Sequence, residues 1–168
     1  MIKIGNNLSE WSAYSCQPTT KDELIEIIRD RIPKEGPNCD LNDIDTSLIN
    51  DMSYLFAKSE FNGDISKWNT SKVKNMELMF YRSKFKGDLN NWDVSNVIYM
   101  DSIFFNTEFN GDISRWNVSR VTDMYNMFRN SKFNQDISNW KININCNTIG
   151  MFKNCPIKEE FKPKLNNI

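Results

Sequence analysis

The sequence predicts an α/β solenoid, about five 24-residue coils stacked behind an N-terminal helical cap. Three observations carry the prediction. Phe61, Phe85, Phe109 and Phe133 stand 24 residues apart. Nearly everything between them recurs in step, from FNGDISKWNTSKVKNMELMFYRSK at residue 61 to FNQDISNWKININCNTIGMFKNCP at residue 133. A capped amphipathic segment precedes the first copy. A fixed period of this length marks units that bury their apolar faces only against their neighbours.

The cap is expected over residues 1–36. Thr20-Lys21-Asp22-Glu23 reads as a capping box, in which a Thr hydroxyl and a Glu carboxylate satisfy orphan amides at a helix start. Leu24, Ile25, Ile27, Ile28 and Ile32 then make an apolar stripe that Pro33 and Gly36 end. Such a helix would cover the open end of the first coil.

The coils follow at 37–60, 61–84, 85–108, 109–132 and 133–156, and a charged tail at 157–168 closes the array. The first coil is degenerate: Ile44 stands where later units carry Trp68, Trp92, Trp116 and Trp140. The last one decays, with Asn145 and Thr148 in place of Val and Met. Within a regular unit, residues 63–68 start at a turn-forming Asn-Gly and predict a short stacked strand. Val73, Met76, Met79 and Phe80 then fall at i, i+3, i+6 and i+7, which predicts a short helix facing inward. Ser71, Ser95 and Ser119 precede these stripes at capping distance.

Composition narrows the functions. The net charge of −1 gives no electrostatic case for a nucleic-acid or membrane surface. The chain has no histidine, which removes Ser-His, Cys-His and histidine-zinc chemistry. Its four cysteines form no CxxC pair and read as small reduced side chains. No phosphate loop, nucleophile elbow or dinucleotide fingerprint occurs. No enzyme activity, cofactor or metal is therefore expected. MIKIGNNLSEWSAYSC lacks the basic-then-apolar pattern of a secretory leader, so the expected location is cytoplasmic, with the cell surface as the alternative.

The pattern F-N-G-D-I-S-x-W-N-x-S-x-V-x-x-M-x-x-M-F-x-x-S, with KDELIEIIRDRI ahead of it, resembles the BspA-type leucine-rich-repeat family, the Mycoplasma lipoprotein-type repeat. The resemblance covers Pro37 to about Cys155. It implies a leucine-rich-repeat-like solenoid and, for many members, adhesion or protein binding. A short array with no leader or anchor in view fits an intracellular binding protein, including one carried by a phage or other mobile element.

Two recurrent columns invite chemical readings. Asp40, Asp64, Asp88, Asp112 and Asp136 could line up for a hard cation or for acid–base work, but turn carboxylates accepting backbone amides explain them more simply. The tryptophans could form a platform for sugars or bases, but strict recurrence fits a buried ladder. The informative positions are those that break the repeat. Placed on helix faces, Leu78, Tyr81, Ile98 and Phe105 gather into one apolar patch, beside Tyr99, Tyr125 and Arg129. These seven are the expected partner-binding residues, on a face where Ser102 accompanies Ile98 and Phe105. The expected function is non-catalytic docking on a protein partner by occlusion, inhibition or scaffolding; the alternative is a short surface adhesin.

Overall fold

A computed structural model describes residues 14–165 of the chain. Readings that fall on residues 1–13, the supposed absence of a leader above all, and on the last three residues of the tail lie outside this range.

The structure corrects the expected fold class. Among the described residues there is one α-helix, α1 (Lys21–Glu35), one 3-10 turn at Glu159–Phe161, and no strand or sheet. Parallel pairing is confined to isolated bridges, and no unit contains a helix. The chain is therefore not an α/β solenoid of strand-and-helix coils. It is built of turns.

The reason lies in the backbone of the segment read as helical. Tyr54, Leu78, Ser102, Asn126 and Gly150, 24 residues apart, all have φ between 52° and 70°. Four residues further on, Lys58, Arg82, Asn106, Asn130 and Asn154 have φ between 53° and 57°. A right-handed helix tolerates no left-handed residue, so two per unit fold the segment into successive turns. Alternate amides close those turns: Met79, Tyr81 and Ser83 donate to Met76, Leu78 and Phe80 three residues back, at 3.2, 3.1 and 3.1 Å. The amides between them point along the stack. Met76, Leu78, Phe80 and Arg82 donate to the carbonyls of Tyr99, Asp101, Ile103 and Phe105 at 2.9–3.1 Å. Rows of the same kind join each unit to the next as far as Asn130, which donates to Lys153.

The segment read as a strand does not pair in this way. Between units only Asp40 and Asp64 bridge there, and Ile44 of the first unit bridges Cys16 of the cap. In later units side chains make the junction: Asn62 Oδ1 accepts from the Lys86 amide at 2.7 Å, and Asn110 Oδ1 from that of Asn134 at 2.7 Å. Each indole Nε1 donates to a carbonyl of the preceding unit, Trp92 to Ile65 at 3.1 Å and Trp116 to Leu89 at 3.0 Å. Gly63 is required here, because a Cβ would lie 1.9 Å from the Cys39 carbonyl oxygen.

Between the two segments runs the core. Phe61, Phe85, Phe109 and Phe133 form a single file with ring centroids 6.2–6.4 Å apart. Phe56, Phe80, Phe104, Phe128 and Phe152 form a second, at 5.7–5.8 Å. The four tryptophans are buried beside them, and Ile44 is buried in their place in the first unit. The Met76, Met100 and Met124 column is fully enclosed.

α1 covers one end of this core with buried Leu24 and Ile28. The Thr20 hydroxyl accepts from the Glu23 amide, as a capping residue should. The Glu23 carboxylate reaches back to the Thr19 amide at 2.7 Å, one residue beyond the expected box partner. Pro33 does not end the helix: it sits inside the last turn, and Gly36, at φ 92°, closes it by donating to Ile32. Arg31 ties the cap down through Glu35, Asp43 and the Asp40 carbonyl. At the other end the Phe161 carbonyl accepts from Ile137, so the tail covers part of the last unit.

Candidate protein-binding surface

The turn geometry decides which side chains face out. Following Phe80, which points inward, Tyr81 belongs to a column of outward side chains: Ala57, Tyr81, Phe105 and Arg129, all half-exposed, and Lys153, which is exposed. Because the row hydrogen bonds hold successive backbones in contact, these side chains stack. The Tyr81 and Phe105 rings lie 5.1 Å apart. The Arg129 guanidinium stands 6.0 Å from the Phe105 ring, and that of Arg82 stands 5.5 Å from Tyr81. Such cation–π seats fix a guanidinium without neutralising it. Arg129 donates through Nη1 to Asn126 Oδ1 at 3.4 Å, and its buried Nε has no partner. Lys58, Arg82, Lys84, Lys86 and Lys132 are exposed in the neighbouring columns, where Glu60 and Glu108 are the opposing charges.

The remaining expected residues stand elsewhere. Tyr99 is 48 % exposed and bridges Asn75 and Asp123, so it belongs to the column Asp51, Asn75, Tyr99, Asp123. Tyr125, 40 % exposed, belongs to the column of Glu77 and Asp101. Leu78 is half-buried in a left-handed turn position, and Ile98 is half-buried with its amide bonded to the Lys74 carbonyl. Ser102 is buried and does not share a surface with Ile98 and Phe105. The helix-face grouping thus resolves into a basic aromatic file (Tyr81, Phe105, Arg129) and an acidic region carrying Tyr99 and Tyr125.

Sequence reasoning missed a third tyrosine of that acidic region. Tyr54 is exposed, donates its hydroxyl to Glu77 Oε1 at 2.9 Å and lies under Lys21 at 5.8 Å. Its signal was its place in the Leu78 column of the degenerate unit. Burial pushes the Asp101 carboxyl up to about 6, and the Glu77 and Asp123 carboxylates add to the rise. Burial, with Asp123 beside it, likewise pushes the Cys146 thiol up to about 11.

The Asp40 column serves the turns. Asp40, Asp64, Asp88, Asp112 and Asp136 each accept from the amide two residues on, at 2.8–2.9 Å. The Ser66 and Ser114 amides hold Asp64 and Asp112 below the usual carboxylate range, and the Ser138 hydroxyl does the same for Asp136. A shallow depression of about 330 Å³ lies against Asp112, Gln135 and Asp136. No group of three or more potential metal ligands occurs among the described residues, and no helix there is long and apolar enough to cross a membrane.

No curated protein and no solved structure matches the chain. The family described as "Mycoplasma protein of unknown function, DUF285" matches residues 34–108 and 82–167, and so agrees with the Mycoplasma side of the resemblance. These overlapping spans take in everything beyond the last turn of α1, and the chain belongs to that family.

Proposed function

We propose that the chain is a non-catalytic protein-binding module that docks an acidic protein surface on its basic aromatic file. The observation that supports this is the stack Arg82–Tyr81–Phe105–Arg129, with Arg82 exposed and the other three half-exposed, above the backbone rows that join the units. Aromatic rings and guanidinium groups fixed in place give up little conformational freedom on binding, which is what interface anchors require. The flanking lysines add long-range attraction for carboxylates. Leu78, Ile98, Tyr99 and Tyr125 lie towards the acidic side and serve here as a region that disfavours acidic partners.

The test is a pull-down with the tagged chain from lysate of the source cell, with captured proteins identified and their affinity measured against salt. An acidic partner whose affinity falls at least tenfold in both Phe105→Ala and Arg129→Ala, and falls as salt rises, is expected. Partners that bind the two variants as well as the original chain would reject this face. So would tighter binding of single-stranded homopolymeric DNA than of any captured protein, because stacked aromatics among cations also suit bases.

A further inference from the structure

The two ends of the stack differ in what they leave unpaired. In the fourth unit Met124, Asn126, Phe128 and Asn130 donate to Asn147, Ile149, Met151 and Lys153. The equivalent amides of the last unit, Thr148, Gly150, Phe152 and Asn154, have no acceptor among the described residues. They point the way their counterparts do, off the end of the stack. The described part of the tail covers the other half of this end, where Ile137 donates to Phe161, and sets the Lys162 ammonium 5.8 Å from the Phe152 ring, but none of its carbonyls accepts from the amide row. Beside the row stand Ile149 at 71 % and Ile144 at 68 % exposure, the two most exposed large hydrophobic side chains among the described residues.

We infer that this row is a capture site for a segment of another polypeptide that folds into the same run of turns, added as one more rung. Four donors on alternate residues require four carbonyls at the same spacing, and a backbone turned as residues 147–153 are, with a left-handed residue at the place of Gly150, supplies them. The four rows already in place show the geometry that the occupant must copy. They also indicate its side chains: each row presents the sequence M-x-x-M-F or a close relative to the rung before it, with the Phe stacked on the preceding Phe. Asn145 and Thr148 replace apolar residues at this end, which disfavours a whole stacked unit and leaves backbone pairing as the main attraction. The occupant is thus a short repeat-like peptide segment, with apolar side chains over Ile149 and, in place of the Lys162 ammonium, over Phe152. A second complete copy of the chain would meet α1, which covers the complementary end. This inference does not depend on the basic aromatic file.

The experiment is residue-resolved amide hydrogen exchange on the full chain, with and without a terminally blocked peptide of residues 121–132 (VTDMYNMFRNSK). In the free protein the amides of Thr148, Gly150, Phe152 and Asn154 should exchange fast, and those of Met124, Asn126, Phe128 and Asn130 slowly. Saturating peptide should slow the first four at least tenfold. Thr148→Pro, which deletes one donor, and Ile149→Lys, which alters the exposed apolar side chain, should each weaken peptide binding at least fivefold. Tyr81→Ala should leave it unchanged. Four outcomes overturn the inference: protection of these amides in the free protein, whether constant or rising with concentration; no slowing at millimolar peptide; equal binding of a scrambled peptide; or loss of binding in Tyr81→Ala alone.

Discussion

The two halves of each repeat join their neighbours by different means, and the sequence varies accordingly. In residues 61–73 and their equivalents, side chains make the junctions: an Asn carboxamide, a tryptophan Nε1 and a threonine hydroxyl each bond the adjacent unit, as Thr70 Oγ1 does with the Asp93 carbonyl at 2.9 Å. The inward Phe, the turn Asp and the Trp keep their places through the regular units, while Lys86 replaces the Asn once and Val94, Val118 and Ile142 replace the Thr. In residues 74–84 and their equivalents the backbone makes the junctions, and outward side chains run from Lys74 through Ile98 to Thr122, or from Tyr81 through Phe105 to Arg129. Where main chain carries the cohesion, side chains are released for recognition. The variable half is therefore the place to look for a partner.

The sharpest way to break this contrast is a pair of aromatic deletions. Trp92→Ala removes a buried ring stacked 6.5 Å from Trp68 and leaves the Ile65 carbonyl without its donor. It is expected to cost about 3–5 kcal/mol, the usual range for a large core side chain. Tyr99→Ala, on an exposed side chain in the other half, should fall within about 0.5 kcal/mol of the original. Chemical denaturation of both variants measures the difference. Equal costs would mean that the variable half is as tightly constrained as the invariant one.

Much of this arrangement was legible in the sequence. The Phe files and the tryptophan ladder follow from residue type and spacing because each side chain meets its counterpart in the next unit, and the Asp turns and the Thr20 cap because each needs only an amide two or three residues on. The assignment of strand and helix was not legible. Val73, Met76, Met79 and Phe80 face inward at helical spacing, yet overlapping three-residue turns give the same inward positions. The distinguishing signal was Asn126, Gly150, Asn106, Asn130 and Asn154, residues that favour positive φ, lying in two columns that also contain Leu78 and Arg82. The helix reading then gathered Tyr81 and Ile98 into one patch with Tyr99 beside it, whereas the turns assign the three to different columns. Backbone pairing in the variable half could not be read from side chains, since it constrains none of them.

A smaller effect compares carboxylates in the two halves. Asp112 and Asp136, in the invariant half, sit below their ordinary range, so the stability they lend is present above that range and is lost as pH falls through their lowered values. Asp101, in the variable half, has the opposite sign. Its carboxyl is raised from 3.8 to about 6, so the folded chain holds a proton that the unfolded chain has released, and stability drops as pH rises across that window. The full shift corresponds to about 3 kcal/mol, which solvent screening at a partly exposed site reduces to about 1 kcal/mol. Asp101→Asn is expected to raise the unfolding midpoint at pH 7, to leave it unchanged near pH 4, and to flatten the profile between them. An unchanged profile would mean that neither burial nor the Glu77 and Asp123 carboxylates raise this group.

The smallest expected effect decides the backbone question by its sign. Leu78→Ala and Leu78→Asn both remove the half-buried leucine, so their difference reports on the main chain at φ 52°. In a helix, alanine is favoured over asparagine by roughly 0.6 kcal/mol. In a left-handed turn position asparagine is the better tolerated residue, because its short polar side chain bonds locally where a Cβ alone is only crowded. Asn126 already occupies the equivalent place two units on. Leu78→Asn should therefore be more stable than Leu78→Ala by about 0.5 kcal/mol or more. The reverse order would restore a helix to this half of the repeat, and with it a face on which Leu78 and Tyr81 stand together.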